Sequence, residues 1–259
     1  MAHPVDGSLP NEEKVAFWDL FADTYSADQQ GNMPSEIVSW LTDIGILGIQ
    51  KDVLEIGSGP GTYSIPMSRS SKTVSCLDSS PRMLDRLFVS ARKESITNLE
   101  RIDADWNVFT GIRKWDVIAS SLCSGLGGLE SLDKMDSLSD GHCVMISWIE
   151  NKGDELQSDI WSELGRNVSY SERGTDDIVE KLEYSGRDAK IREFSDYIKI
   201  EMPLEDAIRK STKTFSVFGL EREARKAAEK ILVSRSADGI YRFEATNSIR
   251  VSVWKPLKK

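Results

Sequence analysis

The chain has 259 residues, and its 33 lysines and arginines face 42 aspartates and glutamates, which gives a formal net charge of −9. An acidic chain has no overall field that attracts nucleic acid or an anionic membrane, so neither is expected as a partner. A hydrophobic share of 39% over this length suffices for a sizeable buried core. No apolar run approaches the roughly 20 residues that span a bilayer.

Cysteine usage indicates a reducing compartment. Cys76, Cys123 and Cys143 lie in apolar, strand-like segments and not at the spacings of a disulfide framework. The polar stretch 1–13 contains no signal-peptide core. We therefore expect buried, reduced thiols in a cytoplasmic protein.

The first half of the chain predicts an alternating α/β pattern. Two amphipathic helices, 11–29 and 34–47, come first, and Pro34 opens the second. The strands that follow are predicted at 53–57, 73–78, 99–102, 116–121 and 142–149, and the helices between them at 62–69, 81–94 and 129–138. Strands that alternate with such helices form βαβ units around a parallel sheet, whose ligand crevice lies at the carboxyl ends of the strands.

The second half is predicted to be less regular. A helix with a loop is expected within 151–173, followed by a helix at 175–185 and a strand at 191–200. Helices at 203–218 and 221–234 precede a last strand within 241–254. We find no internal repeat and no low-complexity segment in the sequence.

A glycine-rich turn follows the first predicted strand. Val53–Ile56 is typical of a buried strand, and the next five residues, Gly57–Gly61, read G-S-G-P-G. Glycine tolerates positive φ and lets a ligand approach the backbone, and a strand that leads through such a turn into a helix presents N–H groups to a cofactor. The G-x-G-x-G spacing differs from the G-x-G-x-x-G dinucleotide fingerprint, which disfavours a dehydrogenase. Alone, the segment is equally compatible with a tight turn that binds nothing.

Acidic residues follow the next two predicted strands. Asp78 ends the second strand, 17 positions after Gly61, where a carboxylate can accept hydrogen bonds from ribose hydroxyls. The third strand is followed by Asp103, Asp105 and Trp106. Three features in register at strand ends predict a single nucleoside-binding site.

These segments carry a family resemblance. Glu55 and the glycines of Gly57–Gly61 resemble motif I of the class I, Rossmann-like S-adenosylmethionine (SAM)-dependent methyltransferases, and Asp78–Leu84 resembles the family's D-x-S-x-x-M-L continuation. The resemblance covers about 15–150 well and the remainder loosely. It implies a three-layer α/β/α fold with a mostly parallel seven-stranded sheet, an antiparallel last strand and a helical insertion.

The resemblance also implies a domain organisation. The N-terminal helices within 1–50 would cover the cofactor and substrate site. The SAM-binding core would comprise 51–202 and 235–259. The helices within 203–234 would form a cap over the substrate and not an independent domain.

A cofactor site follows from the same resemblance. The methionine end of SAM would lie over Gly57, Ser58, Gly59 and Gly61. Glu55 would orient this loop or reach the methionine ammonium through water. S-Adenosylhomocysteine (SAH) would be the product.

The nucleoside end would use the other motifs. The ribose would lie at Asp78, beside Ser79 and Met83. Asp105 would contact the adenine amine, with Asp103 as the alternative. The Trp106 ring is able to stack on adenine, although packing in the core is an equally good interpretation.

Two further positions belong to the implied site. Ser121 ends the strand that leads into the segment near the methyl group. Tyr25 resembles the aromatic residue that closes over the cofactor in many small-molecule methyltransferases, but it could equally be an ordinary core or surface residue.

No catalytic residue is predicted. Transfer of a methyl group from a sulfonium is an in-line displacement that needs alignment of the reactants and exclusion of water more than a general base. His3 lies in the N-terminal tail and His142 opens a core strand, so neither is placed as a base, and no metal-site spacing is present. Cys123 lacks the Pro-Cys context of a pyrimidine C5 methyltransferase and is interpreted as a small buried residue.

The acceptor stays open at this stage. The segment after Ser121 lacks the Asn/Asp-Pro-Pro-Tyr/Phe motif of methyltransferases that act on adenine, cytosine or glutamine amides. Trp148, Trp161, Phe215 and Phe218 fit an apolar acceptor pocket and a core equally well. We expect a small-molecule methyltransferase that is a monomer or homodimer. An RNA or protein methyltransferase and a non-catalytic SAM-binding protein are the alternatives, although the basic segments 209–213, 222–230 and 255–259 are only moderately basic.

Overall fold

The computed structural model describes residues 11–22, 31–111, 113–123, 126, 128–152, 156–166 and 175–257. The strands are β1 (Gly48–Ile56), β2 (Ser71–Asp78), β3 (Leu99–Asp103), β4 (Trp115–Ser121), β5 (Ser139–Lys152), β6 (Ala189–Pro203), β7 (Ser236–Ala237) and β8 (Ile240–Trp254). The helices are α1 (Asn11–Ala22), α2 (Met33–Asp43), α3 (Ser64–Ser68), α4 (Pro81–Lys93), α5 (Leu129–Leu138), α6 (Leu156–Glu163), α7 (Thr175–Tyr184), α8 (Leu204–Thr212), a 3-10 helix (Lys213–Phe218) and α9 (Glu221–Arg235). Within these ranges, no helix is long and apolar enough to cross a membrane.

One twisted sheet organises the molecule. Its strand order is β3-β2-β1-β4-β5-β8-β6, and the two-residue β7 pairs with β8. The strands from β3 to β5 are parallel, whereas β8 runs antiparallel to both β5 and β6. The predicted α/β fold with a mostly parallel sheet and an antiparallel last strand is thus confirmed, whereas the sheet has eight strands in the described part of the chain and not seven, because the short β7 adds to the edge of β8.

Helices cover both faces of the sheet. Successive side chains of a strand point to opposite faces, so Val53 of β1 and Val117 of β4 pack under α2, α3 and α4, while Leu54 and Ile118 face α5 and α7. Both faces carry apolar side chains because the parallel strands are buried on both sides. The same alternation places Glu55 on the face of Val53.

Helices that precede and follow β6 in the sequence share a small core of their own. Helices α6, α8 and α9 and the 3-10 helix bury Trp161, Phe215 and Leu232 among smaller apolar side chains, apart from the two clusters on the sheet. The ring centroids of Trp161 and Phe215 lie 4.6 Å apart. The predicted helices at 203–218 and 221–234 therefore exist, and Trp161 of α6 and Phe215 of the 3-10 helix lie in this small core.

Three strands are longer than the sequence predicts. β1 begins at Gly48 and not at Val53, β5 spans Ser139–Lys152, and β6 spans Ala189–Pro203. The added parts are polar or half-exposed, so their composition does not distinguish them from loops. Cross-strand pairing extends them, since β6 pairs with β8 from Ala189 to Pro203.

A buried carboxylate of α5 is tied to the C-terminal strand by a hydrogen bond and to the turn before β6 by an ion pair. Asp136 of α5 accepts hydrogen bonds from Trp254 Nε1 at 2.8 Å and from Arg187 Nε at 3.0 Å. The side chains of Arg187 and Asp136 are only 1% and 6% exposed. Arg187 Nη2 also donates to Asp133 Oδ1 at 2.6 Å, and the Asp133 side chain is 45% exposed.

Loss of Asp136 should destabilise the fold far more than loss of Asp133. Asp136→Ala leaves the Arg187 guanidinium buried without its inner partner, which typically costs about 3–5 kcal/mol. Asp133→Ala removes a carboxylate that water already screens and should cost less than about 1 kcal/mol. Urea denaturation of both variants measures the difference, and equal losses would contradict the assignment of Asp136 as the inner partner.

Candidate functional site

The glycine loop lies at the carboxyl end of β1. The backbone N–H groups of Gly57 and Ser58 donate to the Leu77 carbonyl oxygen of β2 at 2.8 and 3.1 Å, which fixes the loop across two strands. Gly57, Gly59 and Gly61 all have positive φ. The sequence therefore needs glycine at the three positions where motif I places it.

The surroundings of two glycines differ. A Cβ on Gly57 would lie 2.7 Å from Cβ and Sγ of Cys123, so the segment after β4 packs directly on the loop. A Cβ on Gly59 would meet no heavy atom within 4 Å, so this backbone faces open space. Gly57 is thus required for packing, whereas Gly59 leaves its backbone accessible to a ligand.

Asp78 holds the loop and the start of α4 together. Its Oδ2 accepts a hydrogen bond from the Gly59 N–H at 2.8 Å, and its Oδ1 accepts one from the Ser80 N–H at 2.8 Å. Burial raises the pKa of this carboxyl, the two backbone donors oppose the shift, and nearby Asp19 adds to it. Each carboxylate oxygen has a second lone pair, so the predicted ribose hydrogen bonds remain compatible with these contacts.

Glu55 is a fully buried carboxyl below the loop. Its side chain accepts a hydrogen bond from the Ser64 hydroxyl through Oε2. Ser121 lies near enough to lower the pKa of Glu55, but among the described residues neither Glu55 Oε1 nor the buried Ser121 Oγ has a partner at normal hydrogen-bonding geometry. Burial nevertheless raises the pKa of Glu55 to about 7, and the charge of Asp78 adds to this shift.

Helix α1 docks on the start of α4. Asp19 Oδ1 accepts from Ser80 Oγ at 2.6 Å and from the Arg82 N–H at 3.3 Å. Met83 is buried in a cluster with Phe17 and other α1 residues. The structure therefore places Met83 at the α1–α4 contact, next to the half-buried Ser79 and the fully buried Ser80, and α1 lies beside the Asp78 end of the site.

The two aspartates after β3 have different environments. Asp103 is exposed, and Arg101 holds both of its oxygens at 2.7 Å and thereby lowers its pKa. Asp105 is half-buried and accepts from the N–H and side-chain amide of Asn107 at 2.8 and 3.0 Å. Both aspartates thus have partners within the protein, and the choice of Asp105 over Asp103 for the adenine amine stays a prediction.

Trp106 is part of the core. The ring is 5% exposed, belongs to the cluster that contains Leu77 and Trp115, and has the Lys134 ammonium 4.4 Å from its centroid. One face is thus covered by a cation, which supports the packing alternative. Burial lowers the pKa of Lys134. The indole Nε1 of Trp106 has no hydrogen-bond partner among the described residues.

The end of β4 carries backbone strain beside the loop. Leu122 has φ +52°, a conformation that costs a residue other than glycine roughly 1–3 kcal/mol, and its N–H donates to Ile146 O of β5 at 2.9 Å. The half-buried Cys123 follows against Gly57. Ser124, Gly125 and Gly127 lie outside the described residues, as does Tyr25.

The remaining candidate side chains are histidines and cysteines. His142 pairs with Val117 in the first half of β5, and burial lowers its pKa. Cys76 and Cys143 are buried and unpaired by disulfides, and burial raises the pKa of the Cys76 thiol to about 12. His3 lies outside the described residues, within which no group of three or more metal-ligating side chains occurs.

Sequence reasoning missed Ser64 and Asp19. Both contact predicted site residues across elements: Ser64 reaches β1 from α3, and Asp19 reaches Ser80 from 61 positions away. The only sequence signal for Ser64 is its position three residues after Gly61, in the first turn of the following helix. Asp19 lies on an amphipathic helix with no motif around it.

Replacement of Glu55 by glutamine should remove a pH-dependent loss of stability. The pKa of Glu55 rises from 4.5 to about 7 on folding. The free energy of unfolding of the wild-type protein therefore has its full Glu55 contribution below pH 4.5 and falls by about 3 kcal/mol as the pH rises through 7. Glu55→Gln should lack this loss and be the more stable form at pH 8. Denaturation at pH 5 and pH 8 measures the change in the free energy of unfolding, with substitution of the exposed Glu36 (Glu36→Gln) as control. An equal change in Glu55→Gln and in the wild-type protein would contradict the burial argument.

Solved structures share this architecture. BH2331, a candidate methyltransferase of Bacillus halodurans C-125, aligns with 85% of this chain and 99% of its own at a TM-score of 0.54 and 13% identity. The DhpI–SAM–HEP complex aligns with 70% of this chain and 91% of its own at a TM-score of 0.51 and 18% identity. Coclaurine N-methyltransferase bound to N-methylheliamine and SAH covers 86% of this chain and 72% of its own at a TM-score of 0.50 and 11% identity.

Likeness in sequence is local. No protein-family model matches the chain. A Methanosphaera stadtmanae protein named "Probable ribosomal RNA small subunit methyltransferase A" is 36% identical over 70 residues, which are 27% of this chain and 26% of that protein. An uncharacterized Haemophilus influenzae protein is 30% identical over 89 residues, which are 33% of each chain. The chain thus spans a quarter to a third of these relatives' lengths.

Together with the strand order, the solved structures establish that the chain has the class I, Rossmann-like methyltransferase fold.

Proposed function

We propose that the chain is a SAM-dependent methyltransferase that transfers the methyl group to a small-molecule acceptor. The observation that carries the proposal is the convergence of the open Gly59 backbone, the buried Glu55 carboxyl and Asp78 at the carboxyl ends of β1 and β2. This is the edge at which a doubly wound α/β sheet binds its ligand.

The residues present fit the cofactor. Glu55 Oε1 and Ser121 Oγ are buried polar atoms without protein partners in the described part of the chain, as expected of groups that bind a ligand. Glu55 would face the methionine ammonium, Asp78 the ribose hydroxyls and Asp105 the adenine amine. SAM supplies a methyl group that its sulfonium has already activated. The protein's task is then to align the acceptor with that group and to exclude water.

The comparisons support the choice of cofactor. DhpI is seen in complex with SAM, and coclaurine N-methyltransferase is bound to SAH, the demethylated form. Both share the fold of this chain. The assignment of SAM to this chain rests on that likeness together with the fit of the residues.

A small acceptor agrees with the charges of the insertion. Four basic residues of α8 and α9 are held in ion pairs: Arg209 with Asp206, Arg225 with Glu205, Lys230 with Glu163, and Arg235 with Asp159. Pairing removes much of the field that a polyanion would require. The total charge of −9 acts in the same direction.

An RNA acceptor is the second candidate. The local likeness to the Methanosphaera stadtmanae protein favours it, since that protein's name refers to ribosomal RNA. Binding of RNA would weaken steeply with salt, because cations released from the phosphates drive it. Retention of total RNA at 50 mM salt that weakens as salt is added would support this candidate, and no retention at 50 mM salt would oppose it.

Binding of SAM should depend on the open space at Gly59. Gly59→Ala places a methyl group where the backbone faces the ligand, so we expect affinity for SAM to fall at least tenfold. Gly45→Ala is the matched control, because Gly45 also has positive φ and nothing within 4 Å of a Cβ, yet lies after α2. Calorimetry with SAM, SAH and NAD gives the readout. Tight binding of NAD alone, or equal effects of the two variants, would contradict the proposal.

The adenine contact distinguishes two neighbouring aspartates. Asp105→Ala should weaken SAM binding about tenfold through loss of a hydrogen bond to the adenine amine. Asp103→Ala should leave affinity unchanged, because that side chain pairs with Arg101. Titrations of both variants measure this, and the reverse order would assign the adenine contact to Asp103.

A further inference from the structure

A buried carboxyl without a cationic partner lies under the proposed cofactor site. We propose that Glu55 is protonated in the free protein and releases its proton when the ammonium group of the cofactor's amino-acid moiety binds, with Ser64 as the positioning residue of that carboxyl. The inference rests on the proposed function, since it names how the same site recognises the amino-acid end of its ligand.

The geometry gives Glu55 one satisfied and one unsatisfied oxygen. The side chain is 0% exposed, and the Ser64 hydroxyl donates to Oε2 from the first turn of α3. Oε1 is buried and has no partner in the described residues. Ser64 is itself fully buried, so its hydrogen bond fixes the rotamer of the carboxyl and leaves Oε1 for a further donor.

The groups around Glu55 do not compensate a negative charge. Four titratable or polar side chains interact with Glu55: those of Cys76 and Asp78 on β2, Ser64 on α3 and Ser121 on β4. Asp78 is acidic and the others are neutral, and no cation in the described part of the chain stabilises Glu55. An ionised carboxylate that is buried without a cation is strongly disfavoured, so the neutral acid is the stable form.

The electrostatics agree with this geometry. Burial raises the pKa of Glu55 to about 7, the Ser64 hydroxyl lowers it, and the Asp78 charge raises it. A neutral and an ionised form are therefore close in free energy near neutral pH. The arrival of one positive charge is then enough to favour the ionised form.

The binding step balances. The O–H bond of the Glu55 carboxylic acid breaks, its proton passes to the solvent, and the carboxylate forms an ion pair with the ligand's ammonium, directly or through one water. No electron is transferred, and Ser64 keeps its hydrogen bond to Oε2. A ligand that lacks the ammonium leaves the proton on Glu55.

Calorimetry in two buffers of different ionisation enthalpy measures the proton. At pH 6, binding of SAM or SAH to the wild-type protein should release about one proton. 5′-Methylthioadenosine, which retains the nucleoside but lacks the amino-acid moiety, should bind without release. Affinity for SAH should also rise by up to about eightfold between pH 6 and pH 7.5 as Glu55 ionises.

Two variants separate this effect from a structural role. Glu55→Gln keeps the shape of the side chain and should abolish both proton release and the rise of affinity between pH 6 and pH 7.5. Ser64→Ala removes the hydrogen bond that favours the ionised form, so it should move the midpoint of the pH dependence upward. A residue that merely supports the fold would lower affinity without moving that midpoint.

The outcomes have distinct meanings. SAM that binds the wild-type protein at pH 6 without proton release, or an unchanged release from Glu55→Gln, overturns this inference and leaves the proposed function standing. The absence of any SAM or SAH binding between pH 6 and pH 8 overturns both. Circular dichroism of each variant establishes that it is folded before its titration is interpreted.

Discussion

One carboxylate, that of Asp78, holds the candidate site in shape. It accepts hydrogen bonds from the Gly59 N–H and the Ser80 N–H, and so ties the loop after β1 to the start of α4 after β2. Ser80 in turn caps α4 through the Met83 N–H and donates to Asp19 of α1. The glycine loop, two strands and two helices therefore share one set of contacts.

This constraint gives Asp78 a second role besides the one that its position suggests. The sequence predicts a ribose contact, whereas the structure shows a carboxylate that is already engaged by the backbone of the loop. Both roles are compatible, because a carboxylate accepts about four hydrogen bonds. An effect of Asp78 substitutions on cofactor affinity would consequently combine lost ribose contacts with a disturbed loop.

The fold was predictable because its signals are local. Buried strands alternate with amphipathic helices, and glycine and proline mark the turns, so the elements emerge from short windows of sequence. The position of the glycine loop and of Asp78 followed from strand ends alone. The extra residues of β5 and β6 could not be predicted in this way, because polar strand ends are stabilised by pairing with β8 and carry no composition signal.

Contacts between distant elements explain the rest. The sequence cannot tell a stacking platform from a core residue at Trp106, because both require an apolar ring; the buried ring with Lys134 over it is visible only in the folded chain. The same holds for Trp161 of α6 and Phe215 of the 3-10 helix, which pack on each other in the small core outside the sheet. Ser64 and Asp19 carry no motif, and only the packing of α3 and α1 brings them to Glu55 and Ser80.

The most direct test of the account is a crystal structure of the protein with SAH. The account predicts the homocysteine ammonium at Glu55 Oε1, directly or through one water, with the ribose at Asp78 and the backbone of Gly59 against the ligand. A complex in which SAH lies away from the carboxyl ends of β1 and β2, or in which its amino-acid moiety points away from Glu55, would contradict it.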